Sequence, residues 1–147
     1  PGSALVADIL IFATSIIDIK KVNGNEFIAM TAGSKMNMGP MSSTINMPMS
    51  VYSGVNENQS NFFEKIDISG FTCIENDYLY TNYSGYICQN DILTFSNIGS
   101  YSVVFKPPFI LPNCPIISID FNDKIQIIKR QETTDDIFNT FIFNFYE

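Results

Sequence analysis

The sequence feature that most limits the fold is a series of short runs rich in isoleucine and aromatic residues, each followed by turn-forming residues. The first run, residues 8–21, precedes Asn23-Gly24, a dipeptide favoured in two-residue hairpin turns, and residues 26–31 form the expected returning strand. No strand alternates with a helical segment, as a parallel α/β sheet requires. The chain is therefore predicted to be all-β, an antiparallel, Greek-key-like barrel or sandwich of about seven to nine strands.

The rest of the chain repeats this pattern. Residues 70–102 predict a loop, a strand, a turn, a strand, a turn at Gly99 and a third strand, and the four prolines within residues 106–115 predict an extended loop. Thr133 or Thr134 is expected to cap one short helix that runs to about Phe141. The other predicted strands are residues 49–55, 65–69, 116–121 and 124–129, with a polar loop at 56–61.

With 147 residues, of which 46% are hydrophobic, the chain is long enough to bury one core. Residues 1–3 resemble a cloning remnant, so residues 4–147 are predicted to be a single domain from a larger protein. The longest apolar run, residues 9–17, is too short to cross a bilayer and follows no basic segment of the kind that opens a signal peptide. Three cysteines without a CxxC pair indicate reduced thiols. A cytoplasmic protein with no membrane partner is therefore expected.

Net charge and composition exclude several classes of partner and of catalytic site. The net charge of −7, with eight Lys and Arg residues, argues against a nucleic-acid partner, because binding phosphates needs clustered basic side chains. The absence of histidine removes Ser-His-Asp and Cys-His catalysis and His-ligated metal sites, so no metal is expected. Any chemistry must use cysteine, carboxylates, tyrosine or lysine, or a borrowed cofactor.

Residues 70–102 hold the candidate site. They place a thiol, Cys73, two carboxylates, Glu75 and Asp77, and a phenol, Tyr101, among strands that position polar loop side chains. Gly99 lets the backbone approach a ligand or turn sharply. Each residue also has an ordinary interpretation, as a buried thiol, a solvated carboxylate or a core tyrosine.

Three short segments each resemble a known sequence motif, and together they span roughly the second half of the chain. Gly70-Phe71-Thr72-Cys73 with Asp77 is similar to G-P-x-C-x-x-x-D, residues 90–102 are similar to G-D-x-L-x-F-x-x-x-G-A-Y-S, and Arg130-Gln131-Glu132-Thr133 with Asp135 and Asp136 is similar to R-x-E-T-x-x-D. In this order the segments resemble the C-terminal β-domain of the fold-type III pyridoxal-phosphate decarboxylases, the group of ornithine, arginine and diaminopimelate decarboxylases.

The resemblance implies a domain like the C-terminal domain of alanine racemase, preceded in the whole enzyme by an α/β barrel that binds pyridoxal phosphate through a lysine. It implies that Cys73 reaches across a homodimer and returns a proton to the substrate after carbon dioxide leaves. Tyr101, with Gly99, would bind the phosphate of the cofactor. Asp77 and Glu75 would hold the distal ammonium of a basic amino acid or a derivative of one. Without the barrel, this chain alone is expected to be inactive.

The sequence also departs from the family pattern. Thr31 stands where a D-x-G loop has its acid, Gly39 where an Arg binds a substrate carboxylate, Ile74 where a Glu follows the cysteine in diaminopimelate decarboxylases, and Asn90 where the motif has Gly. The missing Arg and the displaced Glu favour an ornithine-like or modified substrate, such as a siderophore precursor, over diaminopimelate.

A different class of function stays open from the sequence. A non-enzymatic β-sandwich would bind a protein or carbohydrate through a methionine-rich loop and the aromatic tail, residues 141–146. Methionines cover binding surfaces but also fill irregular gaps beneath a sheet. The methionines concerned are Met30, Met36, Met38, Met41, Met47 and Met49.

Overall fold

The computed structural model describes residues 2–22, 24, 26–39, 44–54 and 60–142. It divides into two compact units, Pro1–Lys106 and Pro107–Glu147. No helix within these described ranges is long and apolar enough to span a membrane.

The first unit is built on a six-stranded sheet. Its strands are β1 Phe12–Val22, β2 Glu26–Thr31, β3 Met49–Tyr52, β4 Asn61–Ser69, β5 Tyr78–Ile87 and β6 Ile92–Phe95, in the order β3-β6-β1-β2-β4-β5. All neighbouring strands are antiparallel except β2 and β4, which are parallel. The prediction of an all-β barrel or sandwich is confirmed, and the parallel pair is an addition to the expected antiparallel pattern.

The core lies on one face of these strands, because side chains alternate across a sheet. In β1 the residues Phe12, Thr14 and Ile16 are buried and their neighbours are not. Each fully buried Ile, Leu or Phe contributes about 1.5–3 kcal/mol relative to an exposed one. The other strands contribute Ala29, Ile66, Ile68, Leu79, Ile87, Leu93 and Phe95.

A bulge in β1 changes which residues face the core. The register with β2 shifts between Ile16 and Asp18, so that Ile16 pairs with Thr31 and Asp18 with Met30. A bulge places two residues of one strand opposite one of its partner. Beyond the bulge, Asp18 and Lys20 therefore share the outer face of the sheet with Met30.

Two strand predictions are wrong, one at the start of the first strand and one for the segment after Gly99. Residues 8–11 precede β1 instead of opening it, and a 3₁₀ turn, Ala7–Ile9, lies there because the Ala7 carbonyl accepts a hydrogen bond from Gly99 N at 2.8 Å. The strand expected after Gly99 is a turn, in which Tyr101 has a left-handed φ of 64° and its carbonyl accepts from Phe105 N at 2.9 Å. A long-range hydrogen bond decides the first segment, and a local one between Tyr101 and Phe105 decides the second.

Other boundaries also shift. The hairpin of β1 and β2 is confirmed by the pairing of Val22 with Glu26. β3 ends at Tyr52 and β4 begins at Asn61, earlier than the predicted residue 65. Residues 56–59 of the predicted polar loop, and residue 55 at the end of the strand predicted before it, lie outside the described residues.

The second unit contains a hairpin and a short helix. β7, Ile116–Ile119, pairs antiparallel with β8, Ile125–Lys129, as predicted. Helix α1, Thr134–Phe138, is capped by Thr133, whose side chain accepts from Asp136 N, and it ends before the predicted Phe141. Residues 143–146 of the aromatic tail lie outside the described residues.

An ion pair between Arg130 and Asp136 stabilises the first turn of α1. The two terminal guanidinium nitrogens of Arg130 each donate to the carboxylate of Asp136 at 2.6 Å, and Asp136 also accepts from Thr133 N at 2.8 Å. The Arg130 guanidinium, followed by the Thr133 backbone, lowers the pKa of Asp136. Part of the third sequence motif therefore encodes a helix start.

Asp91 anchors the turn between β5 and β6. Its carboxylate is 1% exposed and accepts from Cys88 N at 2.8 Å, Cys88 Sγ at 3.1 Å and Gly54 N at 3.2 Å. A buried carboxylate is tolerated when such donors surround it. Asp91 thereby ties the end of β3 to the β5–β6 turn.

Asp91→Ala is expected to lower the free energy of unfolding by about 2–4 kcal/mol, because it leaves buried donors on Cys88 and Gly54 without an acceptor. Urea denaturation followed by circular dichroism measures the change. Asp8→Ala, at an exposed carboxylate, is the control and should stay within about 0.5 kcal/mol of the wild type. Equal stability of the two variants would contradict the anchoring role.

Candidate functional site

The loop between β4 and β5, residues 70–77, is held by the buried side chain of Asp77. Asp77 is 7% exposed. Its Oδ1 accepts from Ser34 Oγ at 3.0 Å and from Lys35 N at 2.8 Å, and its Oδ2 accepts from Thr72 N at 3.1 Å and Thr72 Oγ1 at 2.5 Å. Four donors to one carboxylate fix the loop against the residues that follow β2.

The tip of the same loop faces outward. Cys73, Ile74 and Glu75 are exposed, and Cys73 is a free thiol. The tip follows Thr72, one of the residues bonded to Asp77, so a buried clamp supports an exposed thiol. This arrangement can present Cys73 to a group outside the chain.

The three cysteines differ in environment. Cys88 is buried, and Cys114 is half-buried in the second unit. Burial, and then the hydrogen bond to Asp91, raises the pKa of the Cys88 thiol. A buried thiol with a raised pKa is a poor nucleophile, which favours a structural role for Cys88.

The second loop with candidate residues follows β6. Tyr101 is 53% exposed and lies between the buried residues Ser100 and Ser102, so the turn is anchored while the phenol faces solvent. Gly99 packs against the N-terminal 3₁₀ turn, and a Cβ at this position would collide with the Val6 carbonyl. The close approach predicted for Gly99 is made here by the backbone of its own chain.

One 3₁₀ helix, Lys35–Met38, connects the two loops. At its start Ser34 donates to Asp77, and at its end Gly39 lies against the backbone of Ser100 and Ser102. Five residue steps from Ser34 to Gly39 at a 3₁₀ rise span about 10 Å. The Cys73 loop and the Tyr101 loop are therefore tied to opposite ends of one short element.

Three of the departures from the family pattern have local explanations. Gly39 has a φ of 75°, and a Cβ there would lie 2.8 Å from the Ser100 carbonyl oxygen, so an arginine does not fit this backbone. Asn90 has a φ of 73°, which asparagine tolerates where the motif has glycine. Thr31 Oγ1 accepts from Gly33 N at 3.3 Å and donates to the Ser69 carbonyl at 3.0 Å. The hydroxyl thus serves this loop in place of an acid.

An open groove of about 480 Å³ lies beside the Cys73 loop. Glu75 and Asp77 both line it, whereas Cys73, Gly99 and Tyr101 are not among its lining residues. The structure therefore brings the two predicted carboxylates together and places the thiol and the phenol elsewhere. The predicted roles of these side chains toward a substrate and a cofactor stay predictions.

Sequence reasoning missed two polar residues of the site region, Ser34 and Asp91. Ser34 is 2% exposed and both caps the 3₁₀ helix and donates to Asp77. A serine three residues before Asn37 is a recognisable capping signal, but its pairing with Asp77 is a long-range contact. Within the described residues, no three Cys, Asp or Glu side chains cluster as a metal site.

The methionines do not form an exposed surface in the described part of the chain. Met38 and Met47 are buried, and Met30, Met36 and Met49 are half-buried. Met41 lies outside the described residues. The gap-filling interpretation of the methionine-rich region therefore fits these five residues, and the proposed contact surface has little support from them.

The fold is shared with part of several decarboxylases. The diaminopimelate decarboxylase of Helicobacter pylori complexed with L-lysine matches with a TM-score of 0.77 and 18% identity, over 95% of this chain and 33% of that chain. The diaminopimelate decarboxylase of M. jannaschii in co-complex with L-lysine matches with a TM-score of 0.78 and 16% identity, over 98% and 32%. The carboxynorspermidine decarboxylase of Campylobacter jejuni complexed with norspermidine matches with a TM-score of 0.68 and 18% identity, over 92% and 39%.

This chain spans about a third of the length of the solved structures it matches. The predicted resemblance to these decarboxylases is confirmed for the fold. No family model matches the chain, and no curated protein does.

Iodoacetamide is expected to modify Cys73 first and Cys88 only after unfolding, on the order of 100-fold more slowly, because burial protects a thiol until the local structure opens. Mass spectrometry of peptides from a time course at neutral pH measures the rates. Denatured protein, in which all three thiols react, is the control. Similar rates at Cys73 and Cys88 in folded protein would contradict the assigned burial.

Asp77→Asn is expected to loosen the Cys73 loop, because the amide can no longer accept at both oxygens. We expect stability to fall by about 1–3 kcal/mol and the amides of Lys35 and Thr72 to exchange with solvent faster. Hydrogen exchange measured by NMR tests this, with Glu75→Gln as the control at an exposed carboxylate of the same loop. Unchanged exchange at both amides in Asp77→Asn would exclude the clamp.

Proposed function

We propose that this chain is the β-domain of a pyridoxal-phosphate-dependent decarboxylase that acts on a basic amino acid or a derivative of one. The main support is the Cys73 loop, in which a free, exposed thiol is fixed by the four hydrogen bonds of a buried carboxylate, Asp77. The sequence motifs and the shared fold support the same assignment. The cofactor and its lysine would belong to a barrel domain outside this chain.

Cys73 is the proposed proton donor. A thiol suits this task because its proton affinity can be tuned near neutral pH and its side chain is small. Exposure lets Cys73 reach a substrate held by another domain or by the partner of a homodimer. The fixed loop limits the conformations that the thiol must lose when it approaches the substrate carbon.

Tyr101 fits a phosphate contact. Its phenol is exposed on a turn anchored by the buried residues Ser100 and Ser102, so the hydroxyl can donate to an anion held mainly by another domain. Pyridoxal phosphate, when bound, supplies the electron sink that makes loss of carbon dioxide feasible. In this proposal Gly99 contributes by holding the turn close to the 3₁₀ segment before β1.

The two carboxylates differ in what they can do. The oxygens of Asp77 already accept four hydrogen bonds within the chain, which supports a positioning role more than direct substrate binding. Glu75 is exposed and has no hydrogen bond or ion pair with another described residue. Glu75 is therefore the better candidate for a substrate ammonium.

The test uses the full-length protein that carries this domain, loaded with pyridoxal phosphate. Release of carbon dioxide is measured from ornithine, arginine, diaminopimelate and carboxynorspermidine. We expect activity with at least one of them, and Cys73→Ala should lower kcat by about 10²–10⁴-fold. Cys114→Ala, in the second unit, should keep wild-type kcat.

Tyr101→Phe should weaken retention of the cofactor while leaving the fold intact, which fluorescence titration with pyridoxal phosphate measures. Absence of the visible absorbance of bound pyridoxal phosphate, or full activity of Cys73→Ala, would overturn the proposal. The isolated 147-residue chain should release no carbon dioxide.

A further inference from the structure

Residues 33–39, which include the 3₁₀ helix, form one segment that contacts both candidate loops. The first three residues of the segment make hydrogen bonds to the Cys73 loop. The bonds are Phe71 N to Gly33 O at 3.0 Å, Ser34 Oγ to Asp77 Oδ1 at 3.0 Å and Lys35 N to Asp77 Oδ1 at 2.8 Å. The start of the segment and the Cys73 loop are therefore held together at three points.

The end of the segment contacts the Tyr101 turn through the backbone. Gly39 has a φ of 75°, and a Cβ at this position would lie 2.8 Å from the Ser100 carbonyl oxygen and 3.3 Å from Ser102 N. Ser100 and Ser102 are buried on either side of Tyr101. Any side chain at position 39 would therefore push against the turn that carries the Tyr101 phenol.

The core supports the segment between its two ends. Met38 is 1% exposed, and a Cβ at Gly33 would lie 2.6 Å from the Phe12 ring. The Ser34 hydroxyl acts twice, because it donates to Asp77 and accepts from a backbone N–H of the 3₁₀ helix at 3.2 Å. Close-packed protein interiors have low compressibility and transmit strain. A displacement at one end of this segment is therefore expected to reach the other end.

We propose that Ser34 and Gly39 are positioning residues that together set where Cys73 lies relative to Tyr101. The inference rests on the proposed function, in which Cys73 delivers a proton while Tyr101 contacts the cofactor phosphate. Ser34 is buried and Gly39 has no side chain, so both act through the loops that they hold. A misplacement of about 1 Å can lower a reaction rate by about 10²-fold, so a shared support for the two groups matters for the rate.

The first test is hydrogen exchange measured by NMR on the 147-residue chain, which needs neither cofactor nor substrate. Gly39→Ala disturbs the Tyr101 end of the segment, and the amides of Phe71 and Thr72 report on the Cys73 loop at the other end. We expect exchange at both amides to become about five- to tenfold faster, the effect of weakening one hydrogen bond. This acceleration should exceed any change at the core amide of Ile16, which reports on global stability.

Gly24→Ala is the matched control for Gly39→Ala. Gly24 also has a positive φ, 80°, but a Cβ at this position meets nothing within 4 Å. The control therefore introduces similar backbone strain without a contact to either loop. Exchange at Phe71 and Thr72 should change no more than exchange at Ile16 does.

Ser34→Ala tests the opposite direction and keeps the inference testable if Gly39→Ala does not fold. It removes one donor to Asp77 at the Cys73 end. The reporter at the other end is Phe105 N, which donates to the Tyr101 carbonyl at 2.9 Å. Exchange at Phe105 should become about five- to tenfold faster. Ser34→Thr, which keeps the hydroxyl, should restore exchange close to that of the wild type.

The second test measures kcat and cofactor affinity of the full-length protein that carries this domain. Gly39→Ala, at the Tyr101 end, should lower kcat by about 10- to 100-fold even when pyridoxal phosphate is saturating, because Cys73 is misplaced. Ser34→Ala, at the Cys73 end, should also weaken cofactor binding. The double variant should have a kcat no lower than that of the worse single variant, since residues that act through one shared element are not additive. Two independent structural defects would instead multiply.

The inference is overturned if the remote amides of a folded variant exchange as they do in the wild type, or if the two effects on kcat multiply in the double variant. Neither result bears on decarboxylation by the wild-type protein. Conversely, a full-length wild-type protein without activity would overturn the proposed function and leave the exchange rates of the 147-residue chain unaffected. The failure of one proposal can therefore be told from the failure of the other.

Discussion

The Asp77 carboxylate is the interaction on which the site region depends. Burying a charge is costly unless it is well hydrogen-bonded, and Asp77 meets this condition with donors from two separate stretches, Ser34-Lys35 and Thr72. These bonds join the loop after β4 to the segment after β2. The loop tip needs no packing of its own, so a thiol, an isoleucine and a carboxylate can remain exposed in a defined position.

Much of the strand pattern follows from local chemistry and was predictable. Asn122-Asp123 lies in the turn between β7 and β8, where the Asp120 carboxylate accepts from Asn122 N and Lys124 N. The Thr133 cap could likewise be identified, because capping needs residues only three apart. The sequence could not predict where a strand begins or ends when a contact with a residue distant in sequence decides that boundary. Residues 8–11 have strand-forming composition, yet a bond from Gly99 to Ala7 holds the preceding segment in a 3₁₀ turn.

In the candidate site, too, the features set by local sequence were predictable and those set by distant contacts were not. The motif spacing pointed to a loop at residues 70–77 and to a turn at Gly99 followed by a strand; the loop is found, whereas Tyr101 lies in a turn. The side chains of Cys73, Glu75 and Tyr101 are exposed. The sequence suggested that Asp77 faces a ligand, whereas in the structure its carboxylate accepts four hydrogen bonds within the chain. Two of the donors, Ser34 and Lys35, are 43 and 42 positions away. Spacing alone does not reveal such contacts.

The parallel pairing of β2 with β4 has a consequence for how the chain folds. A parallel neighbour cannot be reached through a tight turn, and β3, which lies at the far edge of the sheet, comes between β2 and β4 in the sequence. Closing a long loop costs chain entropy before any contact repays it. Pairs distant in sequence, such as Ile28 with Asp67, raise the contact order. The Cys73 loop, which follows β4, is therefore expected to acquire its final geometry late, after the β1–β2 hairpin has formed.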